Sequence, residues 1–512
     1  MDLGIIVRGS GLTAAEVVAV ARQAAPVKIA GSALEAMQRS RAIVDRLSGE
    51  ERPVYGVSTG FGALAQTRVT AERQSELQHA VIRSHAAGMG PPIEPEVVRG
   101  MMLLRLRTLA MGYSGVRPQV AQGLAALLNA GITPVVPEFG SLGASGDLAP
   151  LAHCALCLIG EGEAFDRSGR RLSAGEALDA AQLAPLRLAS KEGLALINGT
   201  DGMLAMLVLA AADAANLFGA ADITAAMSVE ALLGTDRAFA TELIRLRPQP
   251  GQSRSAANLV RLLAGSPILA SHRHSDHAVQ DSYSLRCTPQ VNGAARDTLE
   301  HVDVIAGREL AAAIDNPTVL PEGRVESNGN FHGAPIGFAC DFLAIAAAEV
   351  GSIAERRVDR LLDPNRSHGL PAFLAPEPGV NSGLMIAQYT AAALVVRNRM
   401  LAVPASTDSI PTSGMQEDHV SMGWSAARKL RELLQNLTRI LAVELLCSAR
   451  ALDLRRPLEP GPATAAVVRL LRQQTPGPGP DRPPAPELAA ASELIGSGAV
   501  VEATAQVIGR LQ

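Results

Sequence analysis

Long apolar stretches with helical periodicity dominate the second half of the chain and restrict the folds open to it. Between residues 425 and 451, leucine and isoleucine recur on one helical face, at positions 430, 433, 434, 437, 440, 441 and 445. Comparable long helices are predicted over 203–227, 294–315, 336–362 and 384–401. Because helices this long and apolar exceed what one small domain can cover, we expect a mainly α protein with an elongated central helical bundle, in which self-association buries the surplus faces.

The first 202 residues have a more mixed pattern and are predicted to form a smaller N-terminal lobe, while 203–512 form the long-helix bundle and a C-terminal helical region. Thr13 and Glu16 have the spacing of a capping box, which predicts the start of a helix. Further helices are predicted over 32–47, 74–86, 96–110 and 116–129, short strands over 4–7 and 132–136, and a strand-and-loop patch within 160–190. The Pro/Gly-rich segment 475–486 predicts a surface loop.

Charge and composition argue against several classes of function. The net charge is −4 and no long basic run occurs, so neither nucleic acid nor an anionic membrane surface is expected as a partner. No signal peptide is apparent, and the uncharged run 379–396 is predicted to be a buried helix rather than a membrane span. Five cysteines in 512 residues favour a reducing, cytoplasmic location, with Cys154 and Cys157 as buried thiols on a core helix.

The glycine-rich segment 140–150 contains the tripeptide Ala144-Ser145-Gly146, which has an unusual chemical potential. If the Gly146 nitrogen attacks the Ala144 carbonyl, a five-membered ring forms, and loss of two waters leaves an imidazolone with an exocyclic methylidene. That product is an electrophile, which none of the twenty side chains is. Glycine at 146 suits the cramped backbone of such a ring. Taken alone, however, the segment is more simply interpreted as a turn that caps a helix through Ser145 or Asp147.

Two other kinds of site were considered and are disfavoured. A serine-hydrolase nucleophile elbow requires Gly-x-Ser-x-Gly, and Asp147 stands where its last glycine is needed. The spacing of His272, His274 and His277, with Asp276, is compatible with a transition metal. Loop histidines commonly remain unligated, so we expect no functional metal there.

Several polar residues have the chemistry that elimination of an amine from an amino acid requires. Arg286 offers a bidentate fork for a substrate carboxylate, and Tyr55 and Tyr283 offer phenols that can serve as strong bases. Asn198 can donate hydrogen bonds to an electrophile's carbonyl or to the amino acid. Each residue, taken singly, is more often structural, and Glu417 alone would be interpreted as a solvated acid at the start of a helix.

Together, these segments resemble the aromatic amino-acid ammonia-lyase family. The matching segments follow family order and are 55–62, 84–88, 140–150, 194–200, 280–286, 329–332 and 416–419. They extend over residues 50 to 430, and so many separate matches in order make the resemblance highly specific.

The resemblance implies that Ala144, Ser145 and Gly146 cyclise autocatalytically to a 4-methylidene-imidazol-5-one (MIO) group. It implies a mostly α-helical homotetramer whose active sites combine loops from three subunits, with no metal and no dissociable cofactor. It also implies conversion of L-histidine to trans-urocanate and ammonia, the first step of histidine degradation.

By the same resemblance, Ser145 supplies the methylidene carbon that takes the substrate's amino group and makes ammonia a better leaving group. Tyr283 is the general base at the β-carbon, and Tyr55 is a partner tyrosine that assists proton handling. Arg286 holds the substrate carboxylate, while Asn198 helps to position substrate and prosthetic group.

The remaining predicted site residues bind the substrate, except Glu417, which is predicted to be catalytic as well. His85 and Glu417 carry the choice of substrate. Gln280 and Gln416 are expected to help bind substrate, and Phe331 to pack against the active-site loop. His85 and Glu417 resemble an imidazole-recognition pair, because a carboxylate accepts an imidazole N–H but is costly to bury against a phenyl ring.

Two alternatives remain open at the level of sequence. A tyrosine or phenylalanine ammonia-lyase, or an aminomutase that returns the ammonia, would share the electrophile. A helical structural protein descended from such an enzyme would have lost the tripeptide, the tyrosines or Arg286, all of which are present here.

Overall fold

The computed structural model of the chain describes residues 4–48, 56, 59, 69–70, 73–275 and 277–512. By packing, the chain divides into two compact units, each assembled from three separate segments. Unit 1 comprises Met1–Leu209, Asp303–Asp341 and Pro404–Arg428. Unit 2 comprises Ala210–Val302, Phe342–Val403 and Lys429–Gln512. A functional division of the chain near residue 202 remains a prediction.

Unit 1 begins with a parallel strand pair, β1 (Ile5–Val7) and β2 (Val27–Ile29), connected by α1 (Ala14–Gln23). The predicted capping box is confirmed, because the Glu16 backbone N–H donates to Thr13 Oγ1 at 3.2 Å and the Thr13 N–H donates to Glu16 Oε2 at 2.8 Å. This reciprocal pair satisfies donors at the start of α1 that otherwise lack an intrahelical partner.

The elements between residues 31 and 200 are α2 (Gly31–Ser48), α3 (Gln74–His85), β3 (Met89–Pro92), α4 (Pro95–Ala110), α5 (Pro118–Ala130), β4 (Thr133–Pro134), β5 (Pro137–Phe139), α6 (Leu148–Leu158), β6 (Glu163–Phe165), β7 (Arg171–Ser173), α7 (Ala174–Ala180) and α8 (Glu192–Ile197). Strands β3 and β5 pair antiparallel, and β4, β6 and β7 form a small antiparallel sheet. The strands of the patch predicted over 160–190 are confirmed as the hairpin of β6 and β7, but residues 174–180 of that range form the helix α7.

The elements from residue 201 onward are α9 (Asp201–Ala231), α10 (Thr241–Ile244), α11 (Pro250–Leu263), α12 (Pro267–Ser271), α13 (Tyr283–Arg286), α14 (Thr288–Ala311), β8 (Thr318–Val319), β9 (Val325–Glu326), α15 (Ala334–Leu362), α16 (Met385–Leu401), α17 (Gly423–Leu454), α18 (Pro462–Arg472), α19 (Ala485–Gly496) and α20 (Ala499–Ile508). The mainly α fold class is thus confirmed, as are the long helices. The helix predicted over 294–315 begins earlier and ends at Ala311.

The expectation for the uncharged run 379–396 was wrong in one respect. This run enters α16, but Ile386, Tyr389 and Val396 on that helix are 57%, 62% and 53% exposed. An apolar sequence shows that a helix face avoids water, but it does not show whether the same chain covers that face.

Two described helical segments are long and apolar enough to cross a membrane by length and composition alone. They are Glu192–Ala231 and Ala334–Leu362. In the most apolar 18-residue stretch of each segment, 78% and 61%, respectively, is buried inside the protein. Such burial is typical of core helices. The two thiols Cys154 and Cys157 of α6 are buried as predicted, and burial raises the pKa of Cys157 to about 12.

A fully buried ion pair ties together three helices within unit 2. Arg357 of α15 donates to both carboxylate oxygens of Glu444 on α17, with Nη2 to Oε2 at 2.9 Å. Thr224 and Ser228 of α9 donate to the same carboxylate at 2.8 and 2.7 Å. A buried charge is tolerated when it is paired and hydrogen-bonded to this extent.

We therefore expect Glu444→Ala to lower the free energy of unfolding by about 3–5 kcal/mol, because it leaves the Arg357 guanidinium buried and unpaired. Glu432→Ala on the same helix is the matched control, since Glu432 pairs with Arg397 at 2.7 Å but is 44% exposed. Denaturant unfolding followed by circular dichroism measures both variants. Equal losses for the two variants would contradict the importance of the buried pair.

Candidate active site

The glycine-rich segment 140–147 connects β5 to α6 in a conformation that requires its glycines. Gly143 and Gly146 have φ angles of +66° and +79°, in the left-handed region that favours glycine. A Cβ built on Gly146 would lie 2.1 Å from the carbonyl oxygen of Gly199. The backbone of the tripeptide therefore packs directly against the backbone of Gly199, and no side chain can be accommodated between them.

Asp147 anchors the same segment to the start of α9. Its backbone N–H donates to the Gly199 carbonyl at 2.7 Å, and its Oδ2 accepts the N–H groups of Gly202 and Met203, both at 2.9 Å. Ser141 Oγ donates to the other carboxylate oxygen at 2.9 Å. The side chain is completely buried, and this burial raises the pKa of Asp147 to about 7.

This arrangement corrects the simple capping interpretation of the segment. Asp147 is the residue that precedes α6, yet its side chain makes no capping bond to that helix, and neither does Ser145. The carboxylate caps α9 instead, more than fifty residues along the chain. The preference of aspartate for the position before a helix therefore predicted a capping role for Asp147, but the helix that its side chain caps is α9 and not α6.

Two further stretches of unit 1 hold the opposite side of the segment. Ser421 Oγ donates to the Gly143 carbonyl at 2.9 Å, and the Met422 N–H donates to the Leu142 carbonyl at 2.9 Å. The Gly333 N–H donates to the same Gly143 carbonyl at 3.3 Å. Segments that are distant in sequence thus fix the backbone on both sides of the tripeptide.

Ser145 contacts one of the acids that the sequence singled out. Its Oγ donates to Glu417 Oε1 at 3.0 Å, across 272 residues of chain. Thr412 Oγ1 donates to the second carboxylate oxygen at 3.0 Å, and the Thr412 and Glu417 backbones pair with each other. Glu417 is half-buried, and the adjacent Gln416 is exposed. The tripeptide therefore has an oriented carboxylate beside its serine.

Asn198 precedes Gly199 and is held at both of its amide groups. Its Nδ2 donates to the Asn316 carbonyl at 2.8 Å, and its backbone carbonyl accepts from Arg105 Nη1 at 2.7 Å. Arg105 Nη2 also donates to the Ile314 carbonyl at 2.8 Å. Asn198 Oδ1 is buried without a hydrogen-bond partner among the residues described. This oxygen is an acceptor that a substrate group can satisfy.

Sequence reasoning did not identify Arg105 as part of this site, although a signal was present. Arg105 lies in the otherwise apolar run of α4 and is only 1% exposed. An arginine within a buried apolar helix must find acceptors inside the protein, because an unpaired buried charge is very costly. An arginine within an apolar helix therefore predicts a buried guanidinium that is hydrogen-bonded inside the protein, but the sequence does not show which carbonyls it binds.

His85 lies at the end of α3 and is half-buried. Its Nδ1 is 2.8 Å from the Val81 carbonyl and 3.1 Å from Ser84 Oγ, so a neutral ring with Nδ1–H leaves Nε2 as an acceptor. His85 and Glu417 do not hydrogen-bond to each other.

Phe331 is half-buried, and the neighbouring His332 stacks on His419 with ring centroids 5.7 Å apart.

The remaining described site residues, Gln280, Tyr283 and Arg286, form a cluster of their own in unit 2. Arg286 Nη1 donates to Gln280 Oε1 at 2.7 Å, and the Arg286 guanidinium carbon lies 4.7 Å from the centroid of the Tyr283 ring. Tyr283 begins α13 and is 71% exposed. Tyr55 lies outside the described residues.

Two of the three histidines with metal-ligand spacing have a ring nitrogen within hydrogen-bond distance of a backbone carbonyl. His272 Nε2 lies 2.8 Å from the Gly234 carbonyl, and His277 Nε2 lies 3.0 Å from the Leu233 carbonyl. Within the part of the chain that the structure describes, no group of three or more potential ligands is arranged to hold a metal ion. Asp276 lies outside the described residues.

The raised pKa of Asp147 predicts a pH-dependent stability. Between pH 4 and 7 the folded protein retains a proton that the unfolded chain releases, so this group lowers the free energy of unfolding as pH rises, by up to about 1.4 kcal/mol per pH unit. The amide introduced by Asp147→Asn does not titrate. Its oxygen can still accept the N–H groups of Gly202 and Met203, while its NH2 group would donate to Ser141 Oγ in place of the bond that the carboxylate accepts from that hydroxyl. We expect this variant to gain stability relative to the parent across this range, measured by thermal unfolding.

Asp166→Asn is the control for this prediction. Hydrogen bonds from Ser168 and Arg170 lower the pKa of Asp166 to about 2, so the carboxylate is ionised in both states above pH 5. Its effect on unfolding should therefore be constant from pH 5 to pH 7. A constant effect of Asp147→Asn over pH 4–7 would show that the buried carboxyl is already ionised there.

The chain is similar over most of its length to proteins of one family, in sequence and in fold. The profile described as aromatic amino acid lyase matches residues 12–473. The histidine ammonia-lyase of Streptomyces griseus is 61% identical over 510 residues, covering 99% of each chain. Among solved structures, histidine ammonia-lyase from Trypanosoma cruzi is 40% identical with a TM-score of 0.91, covering 98% of this chain and 95% of that one. Tyrosine aminomutase from Streptomyces globisporus is 39% identical with a TM-score of 0.94, covering 100% of both chains.

Proposed function

The chain belongs to the aromatic amino acid lyase family, and we propose that within it the protein is a histidine ammonia-lyase, which converts L-histidine to trans-urocanate and ammonia. Likeness of fold does not separate the activities of the solved relatives, since a lyase and an aminomutase match this chain at 40% and 39% identity. Sequence identity distinguishes the two activities better, because the histidine ammonia-lyase of Streptomyces griseus is 61% identical to this chain over 510 residues. The substrate follows from that similarity together with the site.

The contact between Ser145 and Glu417 is the observation that supports this assignment most directly. It places a half-buried carboxylate 3.0 Å from the serine of the tripeptide. An imidazole N–H of the substrate can be accepted by that carboxylate, whereas a phenyl ring would leave it desolvated without compensation. His85, with Nε2 available as an acceptor, is the second proposed contact to the imidazole.

The tripeptide fits the MIO group that the family resemblance implies. Gly146 lies in left-handed backbone against Gly199, where only a residue without Cβ can stand, and both flanks of the segment are tied by hydrogen bonds. The conformation is therefore held in place before any reaction occurs. When formed from Ala144, Ser145 and Gly146, this group supplies the electrophile that activates the substrate's amine.

Further roles are proposed for Arg286, Tyr283, Tyr55 and Asn198. Arg286, held by Gln280, binds the substrate carboxylate through its guanidinium fork. Tyr283 removes the β-proton, and Tyr55 assists proton transfer. The unpaired Asn198 Oδ1 accepts a hydrogen bond from the substrate.

Phe331 and Gln416 are proposed to complete the substrate pocket. Phe331 belongs to the stretch that ends at Gly333, whose N–H binds the Gly143 carbonyl, so it lies in a segment tied to the active-site loop. Gln416 adjoins Glu417 and is exposed, which leaves its amide available for substrate.

We further propose a homotetramer in the cytoplasm, with active sites shared between subunits. Unit 2 exposes large apolar side chains on α15 and α16, including Phe342, Ile386, Tyr389 and Met400 at 48%, 57%, 62% and 61%. Apolar faces of this kind are typical of surfaces that another chain covers. Tyr283 is 71% exposed and therefore accessible to a neighbouring subunit. The five cysteines are all free, as is usual in a reducing compartment.

The test of substrate is a comparison of histidine, tyrosine and phenylalanine as substrates of the purified enzyme. We expect turnover of histidine to urocanate, followed by the ultraviolet absorption of the conjugated product, and little reaction with the other two. Formation of a β-amino acid, analysed by chromatography, would identify an aminomutase. Turnover of tyrosine without turnover of histidine would show that the substrate assignment is wrong.

Glu417→Gln tests the residue behind this specificity. We expect histidine turnover to fall by about a hundredfold or more, because an amide is a weaker acceptor than a carboxylate and cannot act as a base. Asp418→Asn is the matched control, since Asp418 is the adjacent acid and is exposed. Loss of activity in both variants alike would point to a general effect of charge in this segment.

Ser145→Ala tests the origin of the prosthetic group. We expect intact-protein mass to show the parent lighter than its encoded sequence by two water molecules, and the variant to have its full encoded mass, no activity and an unchanged helical circular-dichroism spectrum. Ser253→Ala, at an exposed serine of α11, should leave mass loss and activity as in the parent. A parent of full encoded mass would contradict the proposal that the ring forms.

A further inference from the structure

Unit 1 contains an open cleft of about 550 Å³ that none of the proposed active-site residues lines. The end of α1, the start of α4, the turn after α5 and the tip of the β6–β7 hairpin form its walls. This volume lies within the range of small-molecule sites in proteins. The cleft is therefore large enough for an organic ligand besides the substrate.

Arg99 of α4 lines this cleft and carries a buried charge that is incompletely satisfied. It is 7% exposed, its Nε donates to the Val20 carbonyl at 3.1 Å, and its Nη1 donates to the Leu128 carbonyl at 3.3 Å. Its Nη2 has no hydrogen-bond partner, and no carboxylate pairs with Arg99, among the residues that the structure describes. Burial lowers the pKa of Arg99, as expected for a guanidinium without a counterion.

A second guanidinium, that of Arg167 in the hairpin, lines the same cleft. It donates to the Asn129 carbonyl at 3.1 Å and has no ion pair within the described part of the chain. Its positive charge contributes to the lowered pKa of Arg99, so the two cations repel each other. The carbonyls at the end of α5 orient both side chains but do not neutralise two full charges.

The other charged residues of the cleft are already paired. Arg22 binds Glu96 at 2.7 Å, Glu94 binds Arg428, and Asp166 binds Arg170 at 3.2 Å. Arg428 also pairs with Glu138 at 3.1 Å, so its single charge serves two carboxylates. The charge of the lining residues and their partners is still positive in sum, and within the described part of the chain the cleft guanidiniums without an ion pair are those of Arg99 and Arg167. Most of the remaining wall is apolar and is formed by Ala21, Ala24, Pro92, Ile93, Pro95 and Phe165.

We propose that this cleft binds a small amphiphilic carboxylate. The carboxylate lies beside the guanidiniums of Arg99 and Arg167, where it relieves their mutual repulsion and is accepted by charge-assisted hydrogen bonds. The hydrocarbon or aryl body packs against Pro92, Ile93 and Phe165. Binding at this site is separate from the proposed lyase reaction, because it uses none of the residues assigned to that reaction.

The test is isothermal titration of the assembled enzyme with 4-phenylbutyrate, its neutral amide 4-phenylbutanamide, and inorganic phosphate, all at one ionic strength. The parent is compared with Arg167→Gln, in which an exposed side chain is changed so that the fold is kept. Arg171→Gln is the matched control on the same hairpin, since Arg171 pairs with Glu163 away from the cleft. Arg286→Gln reports any binding of the probe at the proposed active site.

We expect one cleft-bound 4-phenylbutyrate per chain, with the amide and phosphate at least about tenfold weaker. Arg167→Gln should weaken this binding about fivefold, as loss of one partly exposed ion pair does, whereas Arg171→Gln and Arg286→Gln should leave it unchanged. Equal binding of the amide, equal binding of phosphate, or insensitivity to Arg167→Gln would each overturn the proposal. Loss of all binding in Arg286→Gln would place the probe at the active site and would also overturn it.

Discussion

The contact between two glycine backbones, Gly146 and Gly199, is the constraint on which the candidate site depends. Because a Cβ at Gly146 would lie 2.1 Å from the Gly199 carbonyl oxygen, the tripeptide approaches the turn before α9 as bare main chain. The Asp147 N–H binds the Gly199 carbonyl, and the Asp147 carboxylate caps α9. The segment that carries Ser145 is thus part of the same rigid backbone as the start of a long core helix.

Buried arginines of α4 hold the backbone next to this contact through hydrogen bonds to carbonyl groups. Arg105 clamps the Asn198 and Ile314 carbonyls, and Arg99, on the same helix α4, binds carbonyls at the ends of α1 and α5. Carbonyls near a helix C-terminus lack intrahelical partners and carry partial negative charge, so a guanidinium suits them. Helix α4 therefore supports the candidate site near one end and lines the separate cleft near the other.

Features that depend on a short stretch of sequence were predicted correctly, whereas contacts between distant segments were not. The capping box at Thr13, the long helices and the buried thiols of α6 were predicted correctly, because periodicity and capping are properties of short windows. Asp147 precedes α6, as the capping interpretation of its segment requires, but its carboxylate caps α9, and the exposed face of α16 was taken for core. Both errors concern which distant surface a residue meets, and local patterns do not contain that information.

From sequence came the mainly α class, the family resemblance and the identity of the residues able to perform the chemistry. The tertiary structure showed that Ser145 meets Glu417 across 272 residues, that Asn198 is clamped by Arg105, and that Gln280, Tyr283 and Arg286 form a cluster in unit 2. The physical reason is that helices arise from interactions three or four residues apart, whereas these contacts join segments that only packing of the whole chain brings together.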